Sequence, residues 1–286
     1  KSKNIIPSKI NFVDIAGLVK GASKGEGLGN KFLSNIRETD AIAHVIRCFE
    51  DDDITHVEGK LDPLSDIEII ETELLLADIQ NLENRATSLE KKLRSSDKDA
   101  VIIFDFIKEL LDFLNNGWPA RSMVVSTDLL PVYKEFNLLT SKPLLYICNV
   151  EEESTITGNI LSDRVIAYGK DNQVEVVIIS AAIEAEISLL AEDEKKEYLE
   201  SMGLNEAGLN RLIKAGYSQL DLITYFTSGE QETRAWTIPN KTAAPKAAGA
   251  IHTDFEKGFI RAETISYDDF ISFNGELGAR ESGKMR

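Results

Sequence analysis

The residues best suited to chemistry lie at the ends of apolar runs. Asp14 and Gly17 end the first of these runs, residues 10–13, in the pattern D-x-x-G. In nucleoside triphosphatases, an aspartate at such a strand end binds Mg²⁺ through a water, and the glycine amide faces the γ-phosphate. The pattern fixes only two positions in four, so an ordinary turn between a strand and a loop is the better explanation when it is taken alone. Its weight depends on the motifs that follow along the chain.

A second motif ends the apolar run at residues 143–149, which predicts a buried strand. Asn149, Val150 and Glu152 occupy the positions at which GTPases carry N-K-x-D, whose aspartate accepts hydrogen bonds from guanine. The additional methylene of Glu152 moves its carboxylate farther than a hydrogen bond tolerates. We therefore expect the site to lose its main contact with guanine. A solvated acidic loop explains the run at residues 151–153 equally well when it is taken alone.

The third motif is Ser180-Ala181-Ala182, directly after the apolar strand predicted at residues 174–179. In P-loop GTPases, the backbone amides of an S-A-x turn at this point lie against the base. Ser-Ala at a strand end is common, so the motif gains its weight from its order and distance after Asn149. Because ligands bind at the carboxyl ends of strands in open α/β sheets, the three motifs together predict one nucleotide site.

A glycine-rich segment joins the first motif to a helix predicted at residues 31–39. Its glycines lie at positions 21, 25, 27 and 29. A phosphate-binding loop requires glycine, lysine and a hydroxyl residue in succession, whereas Asn30 here separates Gly29 from Lys31. We therefore interpret the segment as a mobile switch, because glycines adopt positive φ angles readily and can rearrange around a γ-phosphate.

The residue that would position an attacking water is harder to assign. Leu18 stands where Ras-like enzymes carry a glutamine, and a leucine neither donates nor accepts a hydrogen bond. His56, in the polar loop beyond the strand predicted at residues 41–49, is the candidate, although an exposed loop histidine is the simpler explanation. We interpret His44 as a structural strand residue, and we place His252 in the carboxyl-terminal part, away from this site.

Two helices interrupt the α/β pattern between residues 66 and 116. Apolar residues first recur at alternating spacings of four and three, and a second set follows the break at residues 95–97. The two sets are Leu75, Ile79, Leu82, Ala86, Leu89 and Leu93, then Phe104, Ile107, Leu111 and Leu114. Such seams are typical of paired helices, and the second one ends at Asn116-Gly117. The pattern predicts an antiparallel helical arm inserted into one α/β domain.

The elements together predict an α/β fold, with a mostly parallel sheet of the P-loop NTPase type, the inserted coiled-coil arm and a small carboxyl-terminal α+β domain. The predicted boundaries are residues 1–65 and 141–222 for the two parts of the sheet domain, 66–140 for the arm and 223–286 for the last domain. In that last region, aromatic and β-branched residues favour several short strands with few helical periods.

Composition limits the classes of function. The 286 residues carry a formal net charge of −16, which argues against wrapping bare nucleic acid through bulk electrostatics, although a local basic patch could still bind RNA. Cys48 and Cys148 lie in apolar runs and suit a reducing cytosol better than a disulfide scaffold. No segment approaches the ~20 apolar residues that span a bilayer. We therefore expect a cytoplasmic protein without a membrane partner.

Longer blocks carry a resemblance to a known family. They comprise residues 14–18, 21–30, 37–41, 234–237 and 252–262, together with Asn149 and Glu152. In these blocks the chain closely resembles the Obg-like ATPase family of the YchF type, over essentially its whole length. The resemblance implies a P-loop domain, an inserted coiled-coil arm and a carboxyl-terminal TGS domain.

The same resemblance implies an activity and its participants. It implies ATP in preference to GTP, Mg²⁺, slow hydrolysis stimulated by potassium, and association with the ribosome. The hydrophobic residue at Leu18 matches a class of nucleotidases that lack the catalytic glutamine, and the family's proposed catalytic histidine falls on His56.

One departure from the family is large. The family begins with a phosphate-binding loop of the form G-x-P-N-x-G-K-S, which these 286 residues do not contain. The sequence also stops at Arg286, before the closing strands of a TGS domain. We expect a fragment that neither binds ATP tightly nor hydrolyses it, and a parent protein that does both. The alternatives are a non-catalytic ribosome- or RNA-binding module and a GTPase.

Overall fold

The structure, a computed structural model, describes residues 2–15, 28–51, 61–93 and 98–286. The strands formed by these residues are β1 (Asn4–Ile6), β2 (Ile42–Arg47), β3 (Leu144–Asn149), β4 (Glu175–Ile179), β5 (Leu222–Ser228) and β6 (Glu232–Pro239). The first eight helices are α1 (Leu28–Arg37), α2 (Pro63–Leu93), α3 (Lys98–Asn115), α4 (Leu130–Phe136), α5 (Ile160–Asp171), α6 (Ala181–Leu189), α7 (Glu192–Ser201) and α8 (Gly208–Gln219). Four short helices follow: α9 (Ala244–Ile251), α10 (Thr253–Lys257), α11 (Tyr267–Ser272) and α12 (Glu276–Glu281).

The larger of two compact units, Ile10–Leu220, is built on a parallel sheet in the order β2-β3-β4. Alternate residues of β3 face opposite sides. Tyr146 and Cys148 pack with Ile67 of α2 and Val165 of α5, whereas Leu145 packs with residues of α8. Helices on both faces explain why β3 is a continuous apolar run. The predicted α/β fold with a mostly parallel sheet is confirmed.

The helical arm consists of α2 and α3, which lie on either side of the predicted break. Its apolar core includes Leu82, Ile107 and Leu114, all fully buried, as the two seams predicted. The second seam was only partly right, because Phe106 and Leu110 are buried and were not assigned to it. Adjacent apolar residues, Phe106 with Ile107 and Leu110 with Leu111, give α3 a wider apolar face than a strict heptad would have.

The base of the arm is fastened to the sheet domain by a buried carboxylate. Asp78 of α2 is fully buried and accepts hydrogen bonds from the backbone amides of Leu139 and Thr140, each at 2.8 Å, and from the Thr140 hydroxyl at 2.8 Å. The Arg37 guanidinium of α1 lies 4.0 Å from the same carboxylate and donates to the Asn137 carbonyl at 2.9 Å. We call these five residues the arm base.

The smaller unit contains Asp221–Arg286 and the segment that ends at Lys9. Its sheet has the order β1-β6-β5, with β1 parallel and β5 antiparallel to β6. The expectation of several strands with few helices is wrong here, since two strands of this region are followed by four short helices, α9–α12. Aromatic residues that favoured strands, such as Phe255 and Phe270, lie on these helices. The predicted four-part division of the chain remains a prediction.

Among the residues that the structure describes, no helix is both long enough and apolar enough to cross a membrane.

Candidate functional site

Two of the three motifs meet at the carboxyl ends of β3 and β4. Asn149 pairs with Ile179 in the sheet, and the Val150 amide donates to the Ile179 carbonyl at 2.9 Å. The Ala181 amide, at the start of α6, donates to Asn149 Oδ1 at 2.9 Å. The asparagine side chain therefore ties the two strand ends together. Ala182 follows on the exposed first turn of α6.

Ser180 adds a buried hydroxyl that no residue in the described ranges bonds. It precedes α6 as the N-cap residue, a position at which a serine normally bonds the amides of the first turn. Here its side chain makes no such bond. The residue is 1% exposed, and its Oγ has no hydrogen-bond partner among the described residues. A buried polar atom of this kind is costly unless a ligand or water satisfies it, so Ser180 Oγ could bond a water or a ligand group at this strand end.

The segment after β3 turns away from the sheet at once. Val150 is buried in the core, Glu151 is extended, and Glu152–Ser154 forms a short 3₁₀ helix. Glu152, the predicted base-recognition residue, is exposed, whereas Glu151 is half-buried. The acidic run is therefore not a uniformly solvated loop, because its first carboxylate is folded back onto the protein.

Asn159 is the residue that receives this carboxylate. Its Nδ2 donates to the two carboxylate oxygens of Glu151 at 3.1 and 2.8 Å and to the Cys48 carbonyl at 2.6 Å. Its Oδ1 accepts the amides of Leu161 and Ser162, so it also caps α5. Our sequence reasoning missed this residue. An asparagine directly before a helix is a preferred N-cap residue, and its place before the apolar start of α5 could have identified it.

Comparisons with known proteins identify the family of the chain. A family model described as "50S ribosome-binding GTPase" matches residues 2–105, and a model for the carboxyl-terminal region of YchF proteins, described as "protein of unknown function (DUF933)", matches residues 222–286. Proteins named "Ribosome-binding ATPase YchF" are 54% identical in Haemophilus ducreyi and 50% in Bacillus subtilis, over 99% of this chain and 78% of each relative. The chain belongs to the YchF family.

A solved YchF structure supports the fold of the whole chain. The solved structure of the Schizosaccharomyces pombe YchF GTPase matches this chain with a TM-score of 0.83 and 35% identity, over 99% of this chain and 77% of the yeast chain. The predicted resemblance to the YchF family is thereby confirmed. The names of the family members disagree about the nucleotide, since the bacterial relatives are called ATPases and the yeast protein a GTPase.

The first motif is less organised than the other two. The strand predicted at residues 10–13 is absent, because residues 7–15 are irregular in this YchF chain. Phe12 is 47% exposed, Val13 is 64% exposed, and Asp14 is exposed. A strand forms only where a neighbouring strand satisfies its backbone groups, and no described strand pairs with this segment. Apolar residues alone were therefore an insufficient basis for that prediction.

The metal prediction has one described side chain to support it. Asp14 offers an exposed carboxylate, and no group of three or more His, Cys, Asp or Glu side chains among the described residues could hold a metal ion. One carboxylate with water suits Mg²⁺, which keeps most of its hydration shell in proteins. Asp14 therefore fits a water-mediated Mg²⁺ contact and does not by itself form a site.

Several predicted residues lie outside the described part of the chain. They are Gly17, Leu18 and His56, together with the glycine-rich segment up to position 27. His44 lies on β2, where burial lowers its pKa against the opposing effect of Glu71 and Asp66. A histidine held neutral within a sheet agrees with the structural interpretation. His252 caps α10 in the smaller unit.

Proposed function

We propose that the protein, as its gene encodes it, is a ribosome-associated nucleoside triphosphatase that binds ATP in preference to GTP. The observation that carries the proposal is the hydrogen bond from the Ala181 amide to Asn149 Oδ1, which joins two strand ends. Beside it lies the Ser180 hydroxyl, for which the described part of the chain offers no hydrogen-bond partner. Strand ends of this kind bind ligands in open α/β sheets. The names of the relatives, "Ribosome-binding ATPase", supply the partner and the nucleotide.

The preference for ATP follows from the residue that would face the base. A guanine-binding loop uses a short carboxylate to accept from two nitrogens of the base, and a site built for those bonds discriminates strongly. Glu152 is longer by one methylene, and Val150 is buried in the core and has no charge to contribute. The loop of Asn149, Val150 and Glu152, with the turn at Ala181 and Ala182, is thus suited to a base that lacks guanine's two donors.

Two residues assigned to the hydrolytic step, Gly17 and His56, lie outside the described ranges. Leu18 cannot orient a water, so we assign that role to His56, with Gly17 facing the γ-phosphate. Asp14 would hold Mg²⁺ through water, and this ion, with potassium as a possible second cation, would supply charge stabilisation to the phosphates. Acceleration would then come from positioning and electrostatics rather than from covalent chemistry.

The biological role that we propose is a cytoplasmic molecular switch in translation or stress response. The arm formed by α2 and α3 and a carboxyl-terminal domain of the TGS type would contact the ribosome, while nucleotide occupies the strand ends. Co-sedimentation of the protein with ribosomes in the presence of ATP or ADP measures this association directly. Binding that does not depend on the nucleotide would contradict the switch.

The nucleotide assignment is tested by shortening one carboxylate at a time. We expect the encoded protein to bind ATP more tightly than GTP, and we expect Glu152→Asp to shift the ATP-to-GTP affinity ratio toward GTP by about 10-fold, the size of a charged hydrogen bond. Glu153→Asp, the same change one residue later, is the matched control and should leave the ratio unchanged. Tighter binding of GTP by the unmodified protein would refute our interpretation of Glu152.

The absent phosphate-loop motif gives the proposal a second test. We propose that the 286-residue polypeptide alone neither binds ATP tightly nor hydrolyses it, because the loop sequence G-x-P-N-x-G-K-S does not occur in it. ATP turnover is measured on this polypeptide and on the protein as its gene encodes it. If neither hydrolyses ATP while ribosome binding persists, the non-catalytic ribosome- or RNA-binding adaptor is the better description.

A further inference from the structure

The run Glu151-Glu152-Glu153 presents three similar carboxylates, of which the structure separates one. Glu152 and Glu153 are exposed at the start of the 3₁₀ helix, whereas Glu151 is half-buried. The sequence cannot distinguish them, because all three have the same side chain within one short segment. Unlike its two neighbours, Glu151 directs its carboxylate to hydrogen-bond donors within the protein.

Both carboxylate oxygens of Glu151 are engaged within the protein. The Ser154 hydroxyl donates to Oε1 at 2.5 Å, and Asn159 Nδ2 donates to Oε1 at 3.1 Å and to Oε2 at 2.8 Å. Burial acts to raise the pKa of Glu151, but the bonds from Ser154 and Asn159 outweigh it and lower the pKa below its usual value. The charged form is therefore the one that the fold holds. Hydrogen bonds to a charged group are stronger than neutral ones.

Asn159 is itself fixed from three directions. It caps α5 by accepting the amides of Leu161 at 3.0 Å and Ser162 at 2.9 Å, and its own amide donates to Ser162 Oγ at 2.8 Å. It also donates to the Cys48 carbonyl beyond the end of β2. An anchor held this firmly can transmit position to whatever it binds. Through Glu151, it fixes the segment that leaves β3.

The segment held by Glu151 is the one that carries the candidate base-recognition residue. The Cys48 amide donates to the Asn149 carbonyl at 2.8 Å, so the β3 end is already fixed on its β2 side. Beyond Val150, the bonds of Ser154 and Thr155 amides to the carbonyls of Glu151 and Glu152 close the 3₁₀ turn. Glu151 thus connects the end of the sheet, the turn and the α5 cap.

We propose that Glu151 is a positioning residue for base recognition, which, together with Asn159, holds the turn that presents Glu152. This inference rests on the proposed nucleotide function and adds to it a residue that never touches the nucleotide. A positioning residue affects binding of the base more than the chemistry of the phosphates. Its loss should therefore raise KM and leave kcat unchanged.

The experiment compares variants of the encoded protein in steady-state ATP hydrolysis. We expect Glu151→Ala and Asn159→Ala each to raise KM for ATP by about 10-fold, and Glu151→Gln, which keeps one acceptor, by about 3-fold. The double variant Glu151→Ala/Asn159→Ala should raise KM no further than the single variant with the higher KM, because the two residues act as one unit. Asp171→Asn, an exposed change at the far end of α5, is the charge-matched control for Glu151→Gln.

Hydrogen exchange separates this inference from the proposed function. In Glu151→Ala, the Ser154 and Thr155 amides should exchange faster than in the unmodified protein, whether or not nucleotide is present, while β3 amides keep their protection. Faster exchange with an unchanged KM would mean that Glu151 has only a structural role and would overturn the inference. Unchanged exchange would overturn it as well. Absence of ATP binding in the unmodified protein would instead refute the proposed function.

Discussion

Two carboxylates hold loops against the sheet domain through hydrogen bonds, and their pKa values are shifted in opposite directions. At the arm base, Asp78 is fully buried, and burial raises its pKa despite the bonds from Thr140 and Leu139. At the β3 end, Glu151 is half-buried, and its pKa is lowered by the bonds from Ser154 and Asn159, which outweigh burial. The same type of contact is thus used once inside the core and once near the surface.

The difference separates a structural fastening from an adjustable one. When a buried carboxylate is removed, the buried amides that it accepted are left without a hydrogen-bond partner, so its removal lowers the stability of the whole fold. A half-buried carboxylate can be replaced in part by water, so its loss changes the position of a loop more than the stability of the domain. We therefore expect Asp78 to govern folding and Glu151 to govern binding.

The largest effect is predicted at the arm base. Asp78→Ala removes the acceptor of two buried amides and one hydroxyl, and we expect it to lower the free energy of unfolding by about 3 kcal/mol. Urea denaturation measures this change. Glu83→Ala, an exposed change on the same helix, is the control and should stay within about 0.5 kcal/mol of the unmodified protein. An equally small change for Asp78→Ala would remove the contrast between the two carboxylates.

A smaller effect is predicted in the pH dependence of stability, with opposite signs at the two positions. Glu151 has a lowered pKa in the folded state, so its contribution is present above its usual value of 4.5 and is lost as the pH falls through the folded value. Asp78 has a raised pKa, so its ionisation removes stability as the pH rises from its usual value of 3.8 through the folded value.

This prediction is checked by difference curves between each variant and the unmodified protein. Thermal unfolding of Glu151→Gln and Asp78→Asn is followed across acidic pH at fixed ionic strength. The destabilisation caused by Glu151→Gln should shrink as the pH falls below 4.5. The destabilisation caused by Asp78→Asn should not shrink in that direction. A destabilisation that changes with pH in the same direction for both variants would contradict our comparison.

Much of the fold was predictable because its elements have regular patterns. Continuous apolar runs predicted β2, β3 and β4, and repeating apolar spacings predicted α2 and α3. The carboxyl-terminal helices were not predicted, because segments of five to eight residues are too short to show a helical period. Their formation depends on caps, such as Ser266 at α11, that become evident only once the chain is folded.

The candidate site was predictable only as far as residue types reveal it. Asn149, Ser180 and Ala181 were identified from order and spacing, and the structure brings them together. The role of Glu151 could not be predicted, because it depends on Asn159, eight residues away, rather than on any property of the acidic run. The prediction of a strand before Asp14 was wrong. Whether an apolar run becomes a strand depends on pairing with a neighbouring strand, and a single segment does not encode that pairing.

The most direct test of the account is to map where adenine lies. The encoded protein is irradiated with 8-azido-ATP, digested with trypsin and analysed by mass spectrometry. We predict label on the peptides spanning residues 135–164 and 171–195, which carry the ends of β3 and β4, and we predict that unlabelled ATP suppresses it better than GTP. Label confined to the helical arm or to the carboxyl-terminal unit would contradict the account.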